Sequence, residues 1–242
     1  MTRESFKSAG ARRPRGRPRD ESLLERRREQ ILARASVVFA ERGYPNTDVQ
    51  DIADLLGISK GTIYRYFPTK ERLFIATVER GVRGLDAEMD RVMATVADPI
   101  DRLAAGTATY LRFFESNPGL VELFIQERAE FRDKRKPVYF EDGCKSECQW
   151  RQMLERLVAA GRLRDVPTER VMTVVGNLLY GTMFTNYFLG SAGSVEQQAA
   201  DINDVLFNGI LSERERAGRA TARRPQNGKS AKASKHNSQE RL

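Results

Sequence analysis

Hydrophobic residues recur along most of this chain at intervals of three, four and seven, the period of helices with one buried face. Leu24, Ile31, Leu32, Ala35, Val38 and Phe39 predict an amphipathic helix over 22–42, with Gly43 placed to end it. Thr47 is expected to open a short second helix whose inner face is Val49, Ile52, Ala53 and Leu56, and Gly57 to stop it. Ser59 suits the N-cap of a third helix near 60–66, with Ile63 and Phe67 turned inward. Pro68 breaks that helix, and Thr69 caps a fourth of roughly 25 residues. Val78, Val82, Leu85, Met89, Val92, Met93 and Val96 make one stripe along it, and Gly81 and Gly84 are expected to bend it.

Beyond Asp98-Pro99 the pattern predicts helices near 99–115, 118–133, 138–161, 168–189 and 195–213. Asn117-Pro118, Pro137, Gly161 to Pro167 and Gly190 to Ser194 separate them. No stretch alternates as a strand would. The predicted fold is therefore all-α, about nine helices: an N-terminal three-helix unit (22–71), then a long fourth helix leading into a C-terminal helical domain (72–213). Residues 1–21 and 214–242 read as disordered arms rich in basic and small residues.

Charge sharpens this division. Of a net +8, residues 1–21 carry +4 and residues 213–242 carry +6, which leaves −2 on the body between them. Basic flexible ends are drawn to polyanions, either nucleic acid or an anionic membrane surface, or serve solubility alone. The N-terminus lacks the apolar stretch of a secretory signal. Two cysteines make no disulfide framework, so a reducing cytoplasm is the expected compartment. Val171 to Val195 contains no charged residue, long enough to suggest a membrane span. Thr173, Asn177, Thr182, Thr185, Asn186 and two glycines interrupt it, and a helix covered on several sides by protein fits better than one in lipid.

The chemistry sits at 47–70. Two short helices joined by Leu56-Gly57-Ile58-Ser59 have the dimensions of a helix-turn-helix. The third helix carries Lys60, Thr62, Tyr64, Arg65 and Tyr66, cations and hydroxyls suited to phosphates and base acceptors, and Gly61 lets its backbone approach closely. The run from Gly57 through Lys60, Gly61, Thr62, Tyr64, Arg65, Tyr66, Phe67, Pro68 and Lys70 to Phe74, preceded by Asp51-Ile52-Ala53, resembles the DNA-binding signature of the tetracycline-repressor (TetR) family. That resemblance covers about 50 residues and implies a transcriptional regulator, most relatives being repressors. It implies that Lys60, Gly61, Thr62, Tyr64 and Tyr66 face an operator, that Lys70 holds a phosphate, and that Arg65 carries sequence preference.

Thr47 and Ser59, opening helices two and three, join these candidates. Gln50 has two readings, a DNA contact or the partner of Thr47 in a capping box. Tyr66 and Phe67 both have the alternative of core packing. Asp48 stands where Ser or Thr is common; it suits the positive end of helix two but would repel a phosphate. In the arm, Arg15-Gly16-Arg17-Pro18 resembles an AT-hook core, so Arg15 and Arg17 are candidates for a minor groove, against the alternative of a nonspecific polycation.

The resemblance further implies an effector pocket in the C-terminal domain, a homodimer through helices 168–189 and 195–213, and a near-palindromic double-stranded operator. Phe113, Phe124, Phe131, Trp150, Tyr180 and Phe184 line a pocket or fill a core, with Glu127 and Asn177 as polar handles beside Gln126 and Glu130. Acids among aromatics favour a cationic, apolar effector; their alternative is plain surface exposure. No cofactor, metal site or enzymatic motif is expected. Cys144 and Cys148 lack two further ligands, and the single histidine, His236, lies in the tail. The alternatives to an effector-controlled regulator are a DNA binder without ligand control and a membrane-associated protein.

Overall fold

The computed structural model describes residues 21–133, 135–141, 145–191 and 193–222. They form ten α-helices: α1 Glu21–Arg42, α2 Val49–Leu56, α3 Lys60–Tyr66, α4 Lys70–Thr95, α5 Pro99–Ser116, α6 Pro118–Phe131, α7 Lys145–Ala159, α8 Thr168–Leu189, α9 Val195–Ile210 and α10 Glu213–Ala222. A single 3-10 turn spans Val138–Phe140, and the only β pairing among the described residues is an isolated bridge between Leu163 and Leu211. The fold is all-α.

Local chemistry explains most boundaries. Ser59, Thr69, Asp98 and Ser194 each stand at an N-cap and accept a backbone N–H from the first turn that follows. Pro99 and Pro118 occupy the first helical positions of α5 and α6, where a missing N–H costs nothing. Gly57 ends α2 at φ 62°, and its N–H donates to Asp54 O at 3.1 Å.

The apolar stripes meet in two cores. The larger joins α1 to α3 with the first half of α4, α5, α6 and parts of α8 and α9, from Ile31 and Phe39 to Leu123, Phe131 and Met183. The smaller lies at the far end, where Val92, Ile100, Trp150, Leu154, Leu157, Leu163 and Leu211 pack together. The three N-terminal helices are thus welded to the rest. α1 packs on α4 and α6, and the Gln126 side-chain amide donates to the Phe39 carbonyl at 2.9 Å.

Three expectations change. The helix expected over 138–161 is a 3-10 turn followed by α7, since Val138 is held by Glu127 instead of continuing a helical ladder. The last long helix ends at Ile210, and α10 occupies part of the segment expected to lack structure. Glu215 explains this: it accepts from Arg162 at 2.8 Å and from Arg219 at 3.1 Å, while Arg219 also reaches Asp98 and Asp101. Finally, α4 runs unbroken through Gly81 and Gly84. A Cβ on Gly81 would stand 2.3 Å from Leu120, so this glycine admits α6 to close range.

Candidate nucleic-acid interface and effector core

The third helix, α3, is positioned by what it buries. Ile63 is fully enclosed and Phe67 is 3% exposed, so the side of α3 that carries them is fixed to the core. The Arg28 guanidinium covers the Phe67 ring at 5.4 Å, and Ile58 N–H donates to Ala53 O at 3.0 Å across the turn. Arg42 and Asp51, 2.6 Å apart, clamp α1 to α2. The opposite side faces solvent: Ser59, Gly61, Tyr64 and Arg65 are exposed, and Lys60, Thr62 and Tyr66 half-buried. Arg65 has no ion-pair partner among the described residues. Seven residues give a rod of about 10 Å in length, and a major groove about 12 Å wide admits it.

Not every candidate contact lies on that surface in usable form. Thr47 does not cap α2: it is 3% exposed and donates its hydroxyl to Gly43 O at 2.8 Å. Asp48 takes the cap with extended backbone, its carboxylate accepting the Gln50 N–H at 2.8 Å. The Thr47–Gln50 capping box is therefore absent, and the exposed Gln50 side chain bonds Asp54 at 2.6 Å. Ser59 splits its hydroxyl between the Thr62 N–H, at 3.2 Å, and the Thr62 hydroxyl, at 3.0 Å. Lys70 donates to Pro45 O at 3.1 Å and lies 4.7 Å from the centre of the Tyr44 ring. Partial burial lowers its pKa, against the pull of Asp48 and Glu130. Tyr66 serves both readings, one side packed on the core and one open. Arg15, Arg17 and Cys144 lie outside the described residues.

Asp48 does more in this surface than cap α2. Its Oδ1 also accepts from the Lys60 ammonium at 2.6 Å, twelve positions away. The Gln50 backbone N–H, then Lys60, hold its carboxyl below the usual range. The first charged group of α3 is thus already paired. Its capping role was legible in the residue type; the bond to Lys60 depends on the angle between two helices and leaves no mark in spacing.

In the C-terminal half, the aromatic candidates separate. Phe124 and Tyr180 pack on Tyr139 at 5.3 and 5.0 Å, and Phe184 on Tyr180 at 4.9 Å; Phe113 adjoins through Phe114. Tyr139 and Tyr110, hydroxyl to hydroxyl at 2.8 Å, tie this cluster together, and burial pushes the Tyr139 phenol up to about 12. Phe131 instead meets Tyr44 and Phe74, the link to the N-terminal helices. Trp150 belongs to the distant smaller core. Asn177 is exposed on α8 and does not line the cluster in one subunit.

The two acids diverge as well. Glu130 is exposed, whereas Glu127 is 2% exposed. Its Oε1 accepts the Val138 N–H at 3.0 Å, with Arg135 at 3.9 Å, and its Oε2 is buried without a partner. Burial raises its pKa, more than the Val138 N–H and Arg135 lower it. Beside the cluster, a cleft of about 340 Å³ opens among Leu111, Phe114, Val121, Met183, Asn186 and Tyr187. Among the described residues no group of three or more metal-ligating side chains assembles, and no helix is long and apolar enough to cross a membrane.

Residues 31–77 match the family model of bacterial regulatory proteins of the tetR family. This segment is a DNA-binding unit of the TetR family. The matched segment holds the whole helix-turn-helix and the start of α4. FasR, an HTH-type transcriptional activator of Mycolicibacterium smegmatis, is 36% identical over 112 residues, 46% of this chain and 49% of FasR. KstR2, an HTH-type transcriptional repressor of Mycobacterium tuberculosis, is 28% identical over 189 residues, 77% of this chain and 94% of KstR2. The crystal structure of the TetR-family transcriptional regulator PfmR from Thermus thermophilus superposes with a TM-score of 0.58 at 27% identity, covering 74% of this chain and 97% of PfmR. Other curated relatives are matched over part of their length, as with the 61% of the repressor KstR that the chain spans.

Proposed function

We propose that this chain is a sequence-specific DNA-binding transcriptional regulator that acts as a homodimer in the cytoplasm, a repressor released by a small, largely apolar effector. Residues 22–71 read the operator, and residues 72–213 bind the effector and the second subunit. One observation carries the reading: the buried pair Ile63 and Phe67 turns Thr62, Tyr64, Arg65 and Tyr66 of α3 outward, on a rod narrow enough for a major groove. Lys70, at the start of α4, supplies a phosphate contact once it leaves the Pro45 carbonyl.

A dimer supplies two such rods. On α8, Val174, Leu178, Gly181, Thr185 and Phe188 fall at helical spacing and are half-open or exposed, with Val174 at 55% and Phe188 at 63%. Val205 on α9 is 71% exposed, and Asn186 and Gln198 join the two helices by paired amide bonds of 2.7 and 3.0 Å. Such an apolar face suits a second copy packing as a four-helix bundle. Reading helices about 34–36 Å apart then address successive major grooves of a near-palindromic site. The effector settles among Phe113, Phe124, Tyr180 and Phe184, with a donor or positive group toward Glu127. That would favour one arrangement of the dimer, with a coupling of about 1–3 kcal/mol.

Selection of bound duplexes from a random pool tests the proposal. A symmetric motif with half-sites one helical turn apart is expected, and Tyr64→Ala should weaken binding to it by roughly 1–3 kcal/mol. Enrichment of no motif, with uniform salt-sensitive retardation of every duplex, would leave only a nonspecific DNA binder.

A further inference from the structure

We infer a second ligand site, distinct from the aromatic cluster, that takes a small molecule with an apolar body and an anionic head such as a carboxylate. It is a cleft of about 350 Å³ between the end of α4, the start of α5 and α7. Met93, Met153 and Leu157 give it an apolar floor, and Arg102, Arg156 and Arg162 its charged rim; none of its described lining residues is acidic. Met93 lies 23 residues along α4 from Lys70, about 35 Å at the helical rise, so this charge is no extension of the DNA-facing surface.

The three arginines are not equivalent. Arg162 is spent on structure, bonded to Asp98 at 2.9 Å and Glu215 at 2.8 Å. Arg102 donates its Nε to Val96 O, at the end of α4, and has no acidic partner among the described residues. Arg156 is exposed and makes no ion pair among them. Other arginines are committed to acids, as Arg42 with Asp51, Arg80 with Glu29 and Arg219 with Asp98, whereas Arg102 and Arg156 line a cleft without one. Two guanidinium groups with open donors over a thioether and leucine floor form a fork for a planar anion, which they bind bidentately, while the apolar part covers the floor. The volume falls in the range of small-molecule sites, about 300–1,000 Å³.

This site stands apart from the operator reading and is tested without DNA. Trp150, the chain's single tryptophan, is on α7 one turn from Met153 and reports on the cleft by fluorescence. The full chain is titrated with decanoate and with decan-1-ol, and methionine-methyl NMR locates the bound probe. Decanoate is expected to saturate and to shift the Met93 and Met153 methyls but not that of Met183 in the aromatic core. Arg156→Ala should weaken decanoate about tenfold or more and leave decan-1-ol unchanged, with Arg156→Lys in between. Arg156 is unpaired and exposed, so the variant keeps its fold. Equal decanoate affinity in wild type and Arg156→Ala, or shifts confined to Met183, would overturn the site.

Discussion

Asp48 and Glu127 show how one carboxyl can be set to opposite tasks by its surroundings. Asp48 sits at a helix start in water, and a backbone N–H and the Lys60 ammonium stabilise its charge. On the proposed interface that charge would face phosphates, so we expect it to penalise binding that lacks compensating base contacts. Asp48→Ser retains an N-cap and frees Lys60. It should tighten binding to nonoperator DNA and steepen the salt slope by about one, with little change in stability. Filter binding across salt concentrations on operator and scrambled duplexes checks this; an unchanged slope would mean Lys60 never reaches a phosphate. Glu127 is the converse, a carboxyl in the interior whose pKa is raised. The folded chain then holds a proton there more tightly than the unfolded chain. Its contribution to stability is complete below the ordinary value of 4.5 and declines as pH climbs through the raised one. Glu127→Gln keeps an acceptor for the Val138 N–H and removes the titration. Wild type should accordingly lose melting temperature relative to this variant as pH rises from about 4.5 toward neutrality; a difference that is flat with pH would show an ionised carboxylate throughout.

At the scale of elements, glycines mark where helices nearly touch. A Cβ on Gly106 in α5 would stand 2.7 Å from the Trp150 ring of α7, a rigid neighbour that cannot fold away. Gly106→Ala gains up to about 1 kcal/mol of helix propensity and suffers an overpacking cost of about 1–3 kcal/mol. A net loss of about 1 kcal/mol, a few degrees in a thermal melt, is expected. A rise in melting temperature would mean that α7 shifts freely. These crossings also mark the limit of what periodicity discloses. The stripes of α1, α4 and α5 placed those helices within a residue or two, because one face of each meets a core and the pattern records that face. The capping of α2 was misassigned by one position, as Thr47 and Asp48 are both cap formers and burial of the Thr47 hydroxyl decides between them. The break at Val138 and the helix α10 rest on bonds from Glu127, 11 residues away, and Arg162, 53 residues away. Local composition carries no trace of either. The solvent-facing side of α3 was legible since its polar residues are contiguous. The aromatic group was only partly so: Phe131 and Trp150 share the residue type of Phe124 and Tyr180, and only the folded chain sends them to different places.

For the whole molecule, the decisive matter is what covers the outer face of α8. One subunit leaves Leu178 at 38% and Val174 at 55% exposure, and nothing lies within 4 Å of where a Cβ on Gly176 or Gly181 would be. Two consequences oppose each other. In a lone subunit, Gly176→Ala should stabilise α8 by about 0.8–1.0 kcal/mol, since alanine is the better helix former and meets no neighbour. Where a second α8 packs against the first, the added methyl intrudes and dimerisation weakens. Leu178→Asp separates the cases further by placing a charge on the same stripe. As a monomer it should keep its helix content and single-subunit fold yet bind a two-half-site operator far more weakly, because the second contact is no longer made at high effective concentration. Light scattering during size exclusion, followed by titration on full and half operators, reads both steps. If Leu178→Asp stays dimeric, or if it turns monomeric with full affinity for the two-half-site duplex, the α8 face is not what couples the two reading helices.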